Sequence, residues 1–259
     1  MAGPRAASTS REGIEAAAAR LAARARPGDQ VFVVLIGHGS SAGRGETRFN
    51  LPGPDFGAAE FAALLGRFGA QRVTFVNAAS ASAGFAAALA GRDPVIMTAT
   101  KTDAERNQTR FGEFFVEALA GADGDLDKDG RVSMLEAFAY ARQMVAQSYE
   151  KDGQLLTEHA LLEDNGDGKG SETPGQPGGD GALARTLLME SAADTAAAAA
   201  MNDPALKALH EERRAIEDRI AALKAAREKA DPTQYAQEME RLLVELARKT
   251  REIREREKK

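Results

Sequence analysis

The stretch Val31-Phe32-Val33-Val34-Leu35-Ile36-Gly37-His38-Gly39-Ser40 decides the fold. Its first six residues form a continuous β-branched and aliphatic run, the pattern of a strand covered on both faces. Two glycines then flank a histidine, which predicts a turn at the carboxyl end of that strand, where open α/β sheets bind ligands. Upstream, Thr9 or Ser10 caps a helix reaching residue 24, with Ile14, Ala18 and Leu21 on one face. Pro27-Gly28-Asp29 ends it. Downstream, residues 58–68, 82–89, 111–120 and 134–150 read as helices, and residues 73–77 and 95–98 as strands. The alternation predicts an α/β class: a parallel sheet sandwiched by helices.

Composition narrows the function. Of 259 residues, 43% are apolar and 28% charged, enough for a packed core. Cysteine is absent, which excludes disulfides, zinc-thiolate sites and a cysteine nucleophile. The longest apolar run has six residues, far short of the roughly 20 that a membrane-spanning helix needs. The first thirty residues carry scattered charges and no apolar stretch, so no secretory signal is recognised. A net charge of −5 argues against nucleic acid as a partner.

The charge is unevenly spread. Residues 204–259 hold 15 Lys+Arg and 12 Asp+Glu, a net of +3, against −8 for the rest. In this tail Leu206, Leu209, Arg213, Ile216, Ile220, Leu223 and Arg227 step by threes and fours. After Asp231-Pro232 the pattern resumes at Tyr235, Met239, Leu242, Leu246, Lys249 and Ile253. Two helices in a hairpin or coiled coil are expected, with self-association through residues 204–259 as one outcome. Between tail and α/β unit, residues 170–181 contain five Gly and two Pro, and residues 191–200 are almost pure Ala. The expected division is 1–170 for the α/β domain, 171–203 for a flexible linker and 204–259 for the helical hairpin.

Candidate chemistry lies at the strand ends. The strand at 73–77 runs into Ala78-Ala79-Ser80-Ala81-Ser82-Ala83-Gly84, small residues suited to a tight strand-to-helix turn. Ser80 or Ser82 can cap the following helix, or Ser80 can pair with His38 across neighbouring strand ends. Gly37-His38-Gly39, then some forty residues, then Ser80-x-Ser82-x-Gly84, resembles the caspase-like cysteine peptidases: caspases, metacaspases and legumains. Those families carry a catalytic His in His-Gly after one strand and a nucleophile in Ala-Cys-x-Ser-Gly after the next. Residues 9–29 are similar to the helix and turn preceding the histidine strand in bacterial members. Val95-Ile96-Met97-Thr98-Ala99-Thr100 is similar to the following strand, and Phe111-Gly112-Glu113-Phe114-Phe115 to the next helix. The resemblance covers roughly residues 9–165.

The resemblance implies a caspase-like sheet with His38 and Ser80 at the dyad positions and oxyanion donors at Gly39 and Ser80. Ser80 stands where the family has its cysteine, and Ala78 where many metacaspase-like enzymes have an acid that reads a basic substrate residue. The family's leading strand has no counterpart. The chain is therefore expected to be truncated or its sheet differently built, with an envelope location in the first case and a cytoplasmic one otherwise. A hydroxyl is much harder to ionise than a thiol and needs an oriented base. The expected function is a non-catalytic or weakened peptidase homologue, a calcium-stabilised binding or scaffold module with a protein or peptide partner. The alternatives are an active peptidase using a Ser80–His38 dyad, and an unrelated calcium-binding α/β interaction protein.

The most specific local motif is Asp125-Leu126-Asp127-Lys128-Asp129-Gly130-Arg131-Val132-Ser133-Met134-Leu135-Glu136. It matches a twelve-residue EF-hand loop: Asp at positions 1, 3 and 5, Gly at 6, an aliphatic at 8 and Glu at 12. Asp125, Asp127, Asp129, the Arg131 carbonyl, Ser133 and Glu136 are the expected Ca²⁺ ligands. Glu163-Asp164-Asn165-Gly166-Asp167-Gly168 copies only the first half of such a loop, with Pro174 at the closing position, and reads as an Asx-rich turn before a cation site. His159, beside Glu158, is expected to pack or hydrogen-bond.

Overall fold

The computed structural model describes residues 9–43, 46–91, 94–121, 123–127, 131–189, 204–225 and 231–257. In chain order the elements begin with α1 (Arg11–Ala22), β1 (Gln30–Leu35), β2 (Gly39–Ser41), β3 (Thr47–Phe49), β4 (Phe56–Gly57) and α2 (Ala58–Leu65). Then come β5 (Arg72–Asn77), α3 (Gly84–Leu89), β6 (Pro94–Thr98), α4 (Phe111–Ala120), β7 (Val132–Ser133) and α5 (Met134–Lys151). The last are β8 (Leu161–Glu163), β9 (Leu188–Met189), α6 (Pro204–Ala225) and α7 (Pro232–Glu257).

The central sheet has the order β1-β5-β6-β8. β1, β5 and β6 run parallel, and β8 pairs antiparallel with β6. Because side chains alternate across a strand, β5 and β6 feed two cores. Val76, Val95 and Met97 pack with Phe111, Phe115 and Phe138 of α4 and α5. Phe75 and Ile96 pack on the other face with Ala18, Phe61 and Phe85 of α1, α2 and α3. The Phe75 and Phe85 rings stack at 5.8 Å and Phe61 meets Phe75 edge-on at 5.3 Å. Truncating such a buried Phe to Ala costs about 3–5 kcal/mol. The expected α/β class is therefore present, with a mostly parallel sheet and helices on both faces.

Three expectations need correction. First, β1 is half-buried over residues 31–34 rather than covered on both faces, because it lies at the edge of the described sheet. Ile36 falls outside the strand and is 68% exposed. Second, short strands that carry no period in the sequence make two further sheets, β2-β3-β4 and β7-β9. Third, the stretch expected to be a flexible connection belongs to the α/β unit as far as Met189. Ser171 bridges Leu162, Ala184 and Leu187 are buried, and β9 pairs with β7. Its glycines supply turns rather than freedom. Gly175 and Gly181 sit at φ 99° and 104°, where residues with a Cβ are strained. The remainder of that segment, residues 190–203, lies outside the described residues.

In the tail, α6 and α7 pack through buried Ile216, Ile220 and Leu242, flanked by Leu223, Met239 and Leu246. One polar interruption of the heptad pattern, Lys249, pairs across the two helices. Lys249 pairs with Glu212 at 2.8 Å, and Arg219 with Glu245 at 3.5 Å, so residues rising along α6 meet residues falling along α7. Hydrogen bonds to Glu212 and Glu252 push the Lys249 ammonium up to about 12. Arg213 instead pairs with Glu217 on its own helix, and Arg227 lies outside the described residues.

Candidate functional site

β1 and β5 are adjacent and parallel, so their carboxyl ends reach the same edge of the sheet. β1 leads through Ile36, Gly37 and His38 into β2, and β5 leads through Ala78 and Ala79 to Ser80. Ala78 N–H donates to Leu35 O at 3.0 Å, keeping the two exits side by side. Gly39 then comes against Ser80 so closely that a Cβ on Gly39 would stand 2.2 Å from the Ser80 carbonyl oxygen. Both exits therefore need small residues, which explains the Gly37-His38-Gly39 and 78–84 compositions on packing grounds.

Ser80 is 5% exposed. Its hydroxyl donates to Gly39 O at 3.3 Å and accepts from Gly39 N–H at 3.4 Å. His38 is exposed, its carbonyl accepts from Asn50 N–H at 2.9 Å, and its ring has no hydrogen bond among the described residues. The expected pair thus shares one sheet edge, but the Ser80 hydroxyl faces the peptide beside His38 rather than the imidazole. Gly39 N–H, an expected oxyanion donor, is engaged by Ser80 itself. Ser82 is structural: its N–H donates to Thr100 Oγ1 at 2.8 Å and its Oγ accepts from Thr100 N–H at 3.2 Å, tying the β5 exit to the β6 exit. At Ala78 the carbonyl accepts from Thr109 Oγ1 and the side chain abuts α4, where a Cβ on Gly112 would lie 2.8 Å from Ala78 Cβ. That contact leaves no room for an acid at 78.

Two acids unmarked in sequence brace this edge. Glu105 accepts from Lys101 N–H at 2.9 Å, meets His159 Nδ1 at 2.6 Å, and receives Ala81 N–H on its main-chain carbonyl at 2.8 Å. Ala81 there adopts φ +49°, a left-handed conformation rare for a residue with a Cβ. Glu158, 3% exposed, accepts Arg110 N–H and Phe111 N–H, each at 2.8 Å, capping α4 from across the chain. Burial raises its carboxyl above the ordinary range, opposed by those two hydrogen bonds. Contacts separated by 54 and 47 residues leave no local pattern to read. The expectation that His159 hydrogen-bonds is met through Glu105, not its neighbour Glu158.

The acidic loop precedes α5. Carboxylate oxygens of Asp125, Asp127 and Glu136 lie within 4.8 Å of one another. Glu136 Oε1 accepts Leu126 and Asp127 N–H at 3.1 Å each, and Oε2 accepts Ser133 N–H at 2.9 Å. Ser133 Oγ in turn accepts Glu136 N–H at 3.2 Å, completing a capping box at the start of α5. Hard oxygen donors converging in this way fit a divalent cation such as Ca²⁺. Asp129 lies outside the described residues, as do Lys128 and Gly130.

The 163–168 turn uses its carboxylates differently. Glu163 accepts Gly166 and Gly170 N–H, Asp164 accepts Gly181 and Ala184 N–H, and Asp180 accepts Asp164 and Asn165 N–H. All three are buried, and burial raises Glu163 and Asp180. These groups fold the turn onto the domain.

No helix among the described residues is long and apolar enough to cross a membrane. Compared with protein families and with curated proteins, the chain matches no family model and no curated relative.

Proposed function

We propose that the α/β unit is a caspase-like domain that binds a protein or peptide instead of cutting it, with Ca²⁺ closing the loop at residues 125–136. One observation carries the non-catalytic half: Ser80 is 5% exposed and its hydroxyl exchanges hydrogen bonds with the Gly39 main chain. A serine nucleophile needs a base within hydrogen-bond reach, roughly 2.6–3.2 Å, oriented by a third group. His38 is exposed, and its ring has no such orienting partner among the described residues. Ala78 packed against α4 adds that the position at which the resemblance expects a substrate-reading acid carries none. Ca²⁺ at Asp125, Asp127, Asp129, Arg131, Ser133 and Glu136 would neutralise converging carboxylates and hold the entry to α5, whose Phe138, Ala141 and Val145 pack in the core.

The test is hydrolysis of Arg- and Lys-containing peptides by the wild type, Ser80→Ala and Ser80→Cys, with and without Ca²⁺. All three are expected to be inactive. Ser80→Cys also carries the chain's sole thiol, which alkylates slowly because the position is buried. Cleavage by the wild type that Ser80→Ala abolishes would establish the serine peptidase reading instead.

A further inference from the structure

The heptad seam, expected to form a hairpin or coiled coil with self-association as one outcome, joins α6 to α7 within the chain through Ile216, Ile220 and Leu242. The opposite face of α7 is different. Leu243 and Val244 are 49% and 46% exposed, and Ala247, one turn further along, is exposed between them. Of the three, Val244 lines a shallow groove of about 580 Å³ whose other walls are Gln237, Glu240, Arg241, Glu245 and Arg248.

Charges on this face are arranged symmetrically. Glu240 stands four residues before Val244 and Arg248 four residues after, so the three share one helix face. Arg241, Glu238, Glu245, Lys249 and Glu252 are all occupied in ion pairs within the hairpin. Glu240 and Arg248 have no ion pair among the described residues.

We infer that this face of α7 docks on the same face of a second copy, the two helices crossing antiparallel at Val244. A two-fold axis through Val244 sets Glu240 of each copy against Arg248 of the other, twice over, around a Leu243–Val244–Ala247 centre. A parallel crossing would oppose Glu240 to Glu240 and Arg248 to Arg248, which disfavours it. Such a contact is isologous and closes on itself. One helix crossing covers less than the roughly 1,200 Å² of a standard specific interface, so a weak, concentration-dependent dimer is expected. Neither calcium nor the strand-end site enters this contact.

Sedimentation of the full chain over a wide concentration series tests it. The wild type should move from monomer to dimer, while Val244→Lys stays monomeric. Glu240→Arg should weaken the dimer by about tenfold or more, since both symmetric pairs become repulsive. Adding Arg248→Glu to Glu240→Arg should restore it, because the pairs are re-formed with signs exchanged. The chain lacks cysteine, so Val244→Cys should be captured by a short bis-maleimide as a covalent dimer, whereas Leu155→Cys, at an 88% exposed position, should not. Circular dichroism establishes that each variant keeps its helix content. A wild type that is monomeric throughout overturns the inference. So does a dimer indifferent to Val244→Lys and Glu240→Arg, which would place association elsewhere, for instance on the β1 edge.

Discussion

Replacing Glu136 by Gln separates the two jobs its carboxylate holds. One is the capping box, in which Ser133 and Glu136 satisfy each other's backbone N–H groups at the start of α5. Gln serves a capping box nearly as well. The amide retains one acceptor oxygen of two, so one pair of hydrogen bonds weakens, each worth about 0.5–1.5 kcal/mol. Removing one of three converging negative charges offsets part of that loss. Without calcium the variant should therefore melt within a few degrees of the wild type, at about 2–4 °C per kcal/mol for a chain of this size. The other job is ligation. An ion that binds only the folded state stabilises it by about 2.7 kcal/mol at a hundredfold excess over its dissociation constant, or about 5–11 °C by the same conversion. That rise should appear in the wild type with Ca²⁺, much less with Mg²⁺, which demands tight octahedral geometry, and should largely vanish in Glu136→Gln. Differential scanning calorimetry across a calcium series measures both quantities. If the two proteins melt alike at every calcium concentration, the loop is only a capped acidic turn and the metal assignment falls.

Glu158→Gln leaves one of the Arg110 and Phe111 N–H groups without an acceptor and should cost about 1–3 kcal/mol. Its pH dependence follows from the raised Glu158 carboxyl: the stability tied to its titration is fully present below the ordinary value of 4.5 and is lost as pH rises through the folded value. The gap in melting temperature between wild type and Glu158→Gln should narrow from acid to neutral pH, and a gap that widens would mean the carboxyl is lowered instead. Gly39→Ala should destabilise by about 1–3 kcal/mol or more, since its Cβ would meet the Ser80 and Arg48 carbonyl oxygens at 2.2 and 3.2 Å. Gly69→Ala, with nothing within 4 Å, is the control, and equal melting of the two would refute the close approach of the β1 and β5 exits.

Long periodic segments were legible in the sequence, because their burial pattern is local. Residues 111–120 form α4 as expected, and α5, β5 and β6 differ from expectation only at their ends. Ser10 caps α1, accepting from Gly13 N–H at 3.2 Å. The Asp125–Glu136 spacing likewise announced converging carboxylates, since a twelve-residue turn closes on itself. Other features required the folded chain. β7 and β9 are two residues each and exist only because residues 55 and 57 apart meet. That β1 lies at an edge is a property of strand order, which no strand's own composition records. The ordering of residues 171–189 depends on buried Asp164 and Asp180, whose acceptors satisfy backbone N–H groups on distant turns. The same holds at the strand ends. Sequence placed His38 and Ser80 after consecutive strands, but a hydroxyl chooses its partner by a few tenths of an ångström and an angle. Tertiary packing of Gly39 on Ser80 turned it to the main chain and left the imidazole in solvent.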